Sequence, residues 1–436
     1  MATQLSFFEA AESHKTYHHT IPFLHQTVDV GDVTFLDGQK EPIHRWFRLT
    51  PSYSPALERY LVQYLACDDS TLILDPFLGK GTTLIETKRL GLNAIGIEIN
   101  PFLRLAADYA LTWEVDLEDF QRFIQQFSAQ IRQVTLDHAQ LGLEATLRHH
   151  DLRLPEIHNV FRWWRKEVLK DLLLIRREVF AITSTAYRQL LWLALSSSAL
   201  DCANVHRNHP TITFDDNHTR TIDATKDFLE KVERIYEDLQ TVNGSKTTFG
   251  QASVVLGDSV HLSEYVSDPV ARVITSPPYP NRFSYVHTTR PQLFFMDVFQ
   301  SARQSAELDC AAIGGTWGKA TSDLYTGSVE PNAPIAPILA PLVAELRPRS
   351  VLMCNYAVKY FNMMHKHIEA LAHMVQPDFR GAYVVGNSRL SGVEIYTDVI
   401  LGQIFERCSF HVDNILILRK RGGRQRLFET AICVSR

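Results

Sequence analysis

The sequence predicts an α/β fold in which a doubly wound, mostly parallel sheet is interrupted by a large helical insertion. A short apolar strand, a glycine-rich loop, a helix and a second strand follow one another within residues 71–99. After residue 250, strand-like and helical segments alternate again, while the residues between are patterned as helices. Alternation of strands with helices is typical of a parallel sheet covered on both faces. We therefore expect the two outer regions to form one sheet.

The composition is that of an ordinary globular protein. The chain of 436 residues is 45% hydrophobic and 21% charged, and it is longer than a typical single domain. It has no basic and apolar leader and no run of about 20 apolar residues, so we expect a cytoplasmic protein without membrane contact. The six cysteines form no CxxC pair, so we expect neither a disulfide framework nor a bound metal.

The net charge of −5 does not by itself indicate a nucleic-acid-binding protein, because phosphate binding normally requires a basic surface. Two stretches could supply a local one, Arg148–Arg177 and the tail Arg419–Arg426. The first also contains acidic residues such as Asp151 and Glu167, which favours a solvated helix face.

The first βαβ unit has clear boundaries. Ser54–Pro55 is typical of a helix N-cap followed by the first helical residue, and Gly91 is typical of a helix end. The predicted elements are the helix Leu57–Leu65, the strand Thr71–Leu74, the helix Thr82–Leu90 and the strand Ala94–Ile99.

The remaining elements follow from apolar periodicity. Helices are predicted over Phe120–Val134, Asn159–Ile182, Tyr187–Leu200, Thr225–Leu239, Ile338–Glu345 and Asp398–Arg407. Strands are predicted over Ser253–Leu256, Arg272–Thr275, Ser350–Asn355, Ala382–Val385 and Asn414–Leu418.

The glycine loop after the first strand predicts a cofactor site, since Gly79 and Gly81 allow close backbone approach next to free helix N–H groups. A phosphate-binding loop would need a glycine where Leu74 stands. A nicotinamide or flavin site would need a third glycine where Leu84 stands. The remaining ligand is S-adenosylmethionine, whose ammonium and sulfonium cations require a carboxylate such as Asp75.

The expected cofactor contacts lie at the ends of the first three strands. Glu98 is placed to accept hydrogen bonds from the ribose hydroxyls, and Asp258 to contact the adenine amino group. The full set in these loops is Asp75, Pro76, Phe77, Gly79, Gly81, Thr82, Thr83, Glu98, Asn100, Asp258 and Ser259.

A second motif, Ser276–Pro277–Pro278–Tyr279, predicts a catalytic loop. Two successive prolines stiffen the loop and remove two backbone donors, so the loop accepts hydrogen bonds. Accepting both hydrogens of an aromatic amine frees the nitrogen lone pair, and the ring of Tyr279 could stack on an extruded base. Ser276 Oγ and the Pro277 carbonyl are the expected acceptors.

The two motifs together resemble motifs I and IV of the amino-methyltransferases that form N4-methylcytosine or N6-methyladenine in DNA. The resemblance covers roughly residues 45–110 and 250–420, with Phe47–Tyr60 as motif X, so that Tyr53 and Ser54 join the expected cofactor site. It implies a seven-stranded, Rossmann-like methyltransferase sheet whose last strand is antiparallel. It also implies S-adenosylmethionine as cofactor, double-stranded DNA as partner and direct methyl transfer.

The subclass rests on Ser276, because serine at the first position of motif IV is more usual in the N4-cytosine enzymes of that family. An N6-adenine DNA methyltransferase and an RNA amino-methyltransferase remain the alternatives. Motif I precedes motif IV here, whereas many relatives with serine in motif IV have the opposite order. Such an enzyme works alone or is paired with a cognate restriction endonuclease.

The predicted domains are an N-terminal extension (1–45), a catalytic methyltransferase domain (46–112 and 250–436) and a helical insertion (113–249). The insertion is the candidate target-recognition region, because the sheet does not account for it. Within it Asn204–Pro210 is rich in donors suited to phosphates or base edges. After the catalytic loop, Arg282 is the residue expected to contact DNA.

Overall fold

The computed structural model of the protein describes residues 23–31, 33–49, 52–206, 212–217, 219–245, 248–316, 318–326, 328–421 and 427–436. Ten strands lie in these ranges. They are β1 (His25–Thr27), β2 (Leu72–Asp75), β3 (Asn93–Glu98), β4 (Ala252–Leu256), β5 (Val270–Thr275), β6 (Val375–Gly386), β7 (Ser388–Leu390), β8 (Val393–Ile395), β9 (His411–Arg421) and β10 (Leu427–Ser435).

Within the described part of the chain, eight strands form one sheet in the order β1-β9-β10-β6-β5-β2-β3-β4. Strands β4, β3, β2, β5 and β6 pair in parallel, and β10 is antiparallel to both β6 and β9. The seven strands from β9 to β4 confirm the expected methyltransferase-type sheet with an antiparallel last strand. The eighth, β1, is an addition at the edge, where it pairs in parallel with β9.

The sheet separates two hydrophobic cores, because successive side chains of a strand point to opposite faces. Ile73 and Leu74 of β2 lie in different cores, as do Ile274 and Val273 of β5. Both faces are therefore covered, which is the doubly wound arrangement that the sequence predicted.

The helices pack on both faces and form the insertion. They are α1 (Phe35–Gly38), α2 (Pro55–Tyr64), α3 (Thr82–Leu90), α4 (Pro101–Tyr109), α5 (Leu117–Asp137), α6 (Leu143–His150), α7 (Val160–Trp163), α8 (Lys166–Phe180), α9 (Thr185–Asp201), α10 (Ala224–Ser245), α11 (Tyr285–Phe295), α12 (Ala302–Ala311), α13 (Lys319–Thr326), α14 (Ala336–Leu346), α15 (Val351–Ala372) and α16 (Thr397–Arg407). None of those found in the described ranges is long and apolar enough to cross a membrane.

The strand predicted over Ser350–Asn355 is wrong, because these residues begin the 22-residue helix α15. Ser350 caps the helix, and its side chain accepts a hydrogen bond from Met353 N at 3.2 Å. Buried residues recur along α15 at helical spacing from Met353 to Leu371. A short run of apolar residues does not distinguish a buried strand from a buried helix. Here the Ser350 N-cap favours the helix.

The segment before β2 is tied to the insertion through Asp238 of α10. This carboxylate is 1% exposed and accepts hydrogen bonds from Ile43 N (2.9 Å) and Trp46 Nε1 (2.8 Å). The Arg45 guanidinium also pairs with it. His44 is buried nearby and bonds to Glu86 of α3 at 2.8 Å. The proposed boundary at residue 45 therefore falls inside a buried hydrogen-bonded segment, and the domain division stays a prediction.

Replacing Asp238 by alanine is expected to lower the free energy of unfolding by about 3–5 kcal/mol, because it leaves a cation and two buried N–H groups without an acceptor. Chemical denaturation followed by circular dichroism measures the change. The neighbouring Glu237, whose side chain is 60% exposed, supplies the matched control Glu237→Ala, expected to change stability by less than about 0.5 kcal/mol. Equal effects of the two substitutions would contradict the bracing role of Asp238.

Candidate active site

A cavity of about 830 Å³ opens at the carboxyl ends of the central strands. This is the edge at which open α/β sheets bind ligands. Its walls come from the loops after β2, β3, β4 and β5, with further residues from α11 and α12. The predicted site residues that line it are Tyr53, Pro76, Phe77, Gly79, Thr82, Glu98, Asn100, Asp258, Ser259, Ser276 and Pro278.

The glycine loop turns sharply because both glycines adopt left-handed backbone angles. The φ angles are 57° at Gly79 and 89° at Gly81, where side chains are disfavoured. A Cβ on Gly81 would also lie 3.1 Å from the Ala107 side chain. The loop can therefore bring its backbone to the cavity wall and begin α3 at once.

Asp75 does not line the cavity, which corrects the expectation of direct contact with the cofactor. It is 1% exposed, and its carboxylate accepts hydrogen bonds from the hydroxyls of Thr83 (2.7 Å) and Thr275 (2.6 Å) and from Phe77 N (3.1 Å). Burial raises its pKa to about 6. Because these bonds hold the carboxylate inside the protein, Asp75 braces the glycine loop from behind the cavity wall.

Glu98 at the end of β3 reaches the cavity. Its two oxygens accept hydrogen bonds from Gly79 N (2.7 Å) and Asn100 N (2.8 Å), and burial raises its pKa to about 7. Each carboxylate oxygen can accept a second hydrogen bond. Glu98 can therefore hold a diol while it still supports the glycine loop.

The other polar residues after the strands also support local turns. Asn100 caps α4, and its amide donates to Thr289 Oγ1 of α11 at 2.9 Å. Asp258 accepts from Val260 N through Oδ1 (3.1 Å) and is half-buried, so Oδ2 stays available to a ligand. Ser259 is buried, and its carbonyl accepts a hydrogen bond from His367 Nδ1 at 2.9 Å.

Tyr53 and Ser54 differ in their placement. Tyr53 lines the cavity, and its hydroxyl hydrogen-bonds Thr83 and the Glu58 carboxyl, whose pKa is raised well above its usual range by burial. Ser54 instead caps α2 and accepts from Leu57 N at 3.1 Å. The sequence predicted this N-cap. Ser54 does not line the cavity, so the contact with the cofactor that was also expected of it stays a prediction.

The second motif follows β5 and meets the cavity through Ser276 and Pro278. Pro277 is buried and does not line it. The Pro278 carbonyl accepts a hydrogen bond from the Tyr360 hydroxyl of α15 at 2.8 Å. The Tyr360 hydroxyl thus supports the loop from α15, and the Pro278 carbonyl already accepts one hydrogen bond.

Tyr279 is held away from the cavity wall. Its hydroxyl donates to Glu429 Oε1 of β10 at 2.9 Å, and the Arg421 guanidinium lies 5.3 Å from its ring centroid. The ring edge packs against Gly386, where a Cβ would approach Tyr279 Cδ2 to 2.7 Å. One face of the ring is therefore covered by Arg421, and the expected stacking of a base on Tyr279 stays a prediction.

Sequence relatives match the same region. The profile of a DNA methylase family matches residues 38–108, which include the glycine loop and Glu98. The chain is 24% identical over 450 residues to the Type II methyltransferase M.BsoBI of Geobacillus stearothermophilus, covering 95% of this chain and 87% of that protein. It is 22% identical over 393 residues to the Type II methyltransferase M.MvaI of Kocuria varians, covering 85% and 83%. The chain is therefore similar to DNA methyltransferases over most of its length, and the family profile matches the part that contains the glycine loop.

The chain is similar to TrmN of Thermus thermophilus with a TM-score of 0.30 and 8% identity, covering 93% of this chain and 53% of that one. The fold assignment rests instead on the strand order described above.

The cavity fits a methyl donor of the S-adenosylmethionine type, which is the cofactor that the sequence predicts. Glu98 offers carboxylate oxygens for the ribose, and Asp258 offers one for the adenine amine. The side chains of Phe77, Ile97 and Ile99 supply apolar walls for the base.

Several lining residues were not found from the sequence. Lys80 lies between the two glycines, is 5% exposed, and donates to the His44 carbonyl at 3.3 Å; burial lowers its pKa to about 8. Its position between the two glycines of the loop was a signal that could have identified it. The apolar residues from α11, α12 and the segment after α12 gave no such signal, because they belong to no recognisable local sequence motif. They are Val286, Leu308, Ala312 and Ile313.

The insertion brings three histidines together, although no metal was expected. Ring nitrogens of His138, His149 and His150 lie within 4.8 Å of one another. The Arg177 guanidinium contacts His150 Nδ1 and brings a positive charge to the group. That charge opposes a cation, and the expectation of no metal stays a prediction.

Two regions expected to contact DNA fall partly outside the described residues. These are residues 207–210 of the segment Asn204–Pro210 and residues 422–426 of the basic tail. Arg282, by contrast, is described and exposed, and its backbone N–H donates to the Tyr356 hydroxyl at 3.1 Å.

We expect S-adenosylmethionine to bind more weakly as the pH falls through about 7. Burial raises the pKa of Glu98 to that value, so Glu98 is protonated below it and loses acceptor capacity for the ribose hydroxyls. Isothermal titration calorimetry on both sides of pH 7 measures the dissociation constant. Glu98→Gln is expected to bind weakly and to lose this pH dependence, whereas the exposed control Glu118→Gln should keep it. An affinity of the natural protein that is constant across this range would refute the role of Glu98.

Proposed function

We propose that this chain transfers a methyl group from S-adenosylmethionine to the N4 amino group of a cytosine that has been flipped out of duplex DNA. The observation that supports it is that Ser276 and Pro278 line the same cavity as Glu98 and Asp258. A cofactor held by the two carboxylates and an amine held by the second motif would therefore share one enclosed volume. Bound S-adenosylmethionine supplies the electrophilic methyl group.

The chemistry of Ser276 favours its use as an acceptor. Ser276 lines the cavity, and the oxygen of its hydroxyl has two lone pairs that can accept a hydrogen bond from the target amine. The second acceptor that we propose is the Pro277 carbonyl, as the motif predicts; Pro277 is itself buried between Ser276 and Pro278, the two residues of the motif that line the cavity.

The chemistry of serine sets the order of the proton transfer. A serine hydroxyl is no base for an aromatic amine at neutral pH, so the amine proton leaves after the methyl group has been transferred. Ser276 and Pro277 then act by orienting the amine and freeing its lone pair, and no covalent intermediate with the protein forms.

Nucleoside analysis tests the target base. The protein is incubated with unmethylated duplex DNA and S-adenosylmethionine labelled in the methyl group, and the DNA is digested and separated by mass. Label in N4-methylcytosine is the expected result. Label only in N6-methyladenine would refute the cytosine assignment, and label transferred only to RNA would refute DNA as the substrate.

The substitution Ser276→Ala is expected to lower kcat roughly 100-fold, comparable to the loss of one hydrogen bond that acts in a transition state. Its cofactor affinity should stay unchanged, because Ser276 is proposed to contact the target amine. The exposed residue Ser253 on the edge strand β4 supplies the control Ser253→Ala, expected to be fully active. Single-turnover kinetics with calorimetry measures both quantities. A Ser276→Ala protein with natural kcat would contradict the acceptor role.

A further inference from the structure

A second cavity, of about 490 Å³, lies beside the active-site cavity between α11 and α12. Val286 borders both cavities, and α12 contributes Leu308 to the first and Asp309 to the second. The polar side chains in the wall of the second cavity are those of Ser284, His287, Arg290, Ser305 and Asp309. It therefore adjoins the place where a target base would enter.

Arg290 carries the positive charge of this cavity. Arg290 is half-buried, and its Nε atom is buried without a hydrogen-bond partner. Within the part of the chain that the structure describes, no side chain or carbonyl forms a hydrogen bond or ion pair with it. The Phe294 ring, one turn further along α11, lies 5.9 Å from the guanidinium carbon and supports it from the side.

The acid in the same cavity does not neutralise Arg290. Asp309 is 2% exposed and accepts a hydrogen bond from Ser284 Oγ at 2.5 Å, and Ser284 in turn caps α11. His287, one turn before Arg290, is a neutral imidazole at neutral pH, because burial and the nearby Arg290 charge lower its pKa to about 4. The cavity thus presents an arginine whose charge no neighbouring carboxylate compensates.

A partly desolvated guanidinium without a partner is suited to a phosphate. Its planar fork donates two parallel hydrogen bonds to two oxygens of one anion, and such charge-assisted bonds are strong where water is excluded. A base that enters the active-site cavity keeps its flanking phosphates at the rim, one nucleotide away. The cavity at Arg290 adjoins the active-site cavity through Val286, which is where such a phosphate would lie.

We propose that Arg290 binds one phosphate of the DNA backbone next to the target base. The inference rests on the proposed function, because it requires duplex DNA as the substrate. The contact fixes the register of the strand and leaves the choice of base to other residues. It also supplies local positive charge in a chain whose net charge is −5.

Salt-dependent DNA binding tests the contact. Each phosphate neutralised contributes about 0.9 to the slope of log affinity against log salt concentration. For Arg290→Gln we expect the affinity for a duplex that the natural protein methylates to fall by about 10-fold to 100-fold. The salt-dependence slope should decrease by about 0.9. Arg290→Lys keeps the positive charge but not the planar guanidinium. It should therefore keep the salt-dependence slope of the natural protein and bind DNA more tightly than Arg290→Gln.

The matched control is Arg303→Gln on α12. Arg303 is 86% exposed and pairs with Glu307 on the solvent side of the helix, so its loss should leave affinity and slope unchanged. Calorimetry with S-adenosylmethionine shows whether each variant is folded, and all three should bind the cofactor as the natural protein does. Cofactor binding lost in both Arg290 variants would mean a structural role and would overturn the inference.

Neutral methylphosphonate linkages, introduced one at a time around the target base, locate the phosphate. The natural protein should lose affinity at one linkage, and Arg290→Gln should lose no more at that same linkage. Additive losses at every linkage would overturn the inference. So would inorganic phosphate binding at Arg290 with an unchanged DNA salt slope, since the cavity would then take free phosphate only. Failure of the natural protein to bind or methylate any duplex would instead refute the proposed function.

Discussion

The carboxylate of Asp75 joins the two halves of the active site. One oxygen accepts a hydrogen bond from Thr83 at the start of α3, and the other accepts from Thr275, the residue before Ser276. The glycine loop and the second motif are about 200 residues apart in sequence, and this buried group holds them at one sheet edge. The three donors give each oxygen of this buried carboxylate a partner, so neither loop can move without leaving a buried polar group unpaired.

Burial then displaces the pKa values of several charged groups at this edge. The pKa is raised to about 6 for Asp75 and to about 7 for Glu98, and lowered to about 8 for Lys80. In each case desolvation is the largest cause, because the charged form loses water that the protein does not fully replace. Perturbed groups of this kind gather at functional sites, and here all three belong to the glycine loop or adjoin it.

The rest of the molecule supports this edge from both sides. Asp238 of α10 holds the Ile43–Trp46 segment, and His44 within it contacts Glu86 of α3. On the opposite side, α15 supports the catalytic loop through the Tyr360 hydroxyl. The insertion therefore packs into the hydrophobic core that contains Ile73 and Ile274, in addition to its predicted part in target recognition.

The sequence by itself determined the βαβ unit, the alternation of strands and helices after residue 250, and the two motifs, because each depends on neighbouring residues. Turn glycines, the Ser54 cap and strand-length apolar runs act within a few positions, so they can be read without the fold. The tertiary structure alone decided that Ser350–Asn355 begins a helix and that β1 extends the sheet. It also decided that Asp75 braces the site while Glu98 faces the cavity. These outcomes depend on which distant groups share a buried space, as Asp75 does with Thr275 and Ile43 with Asp238, and no local pattern records such pairs.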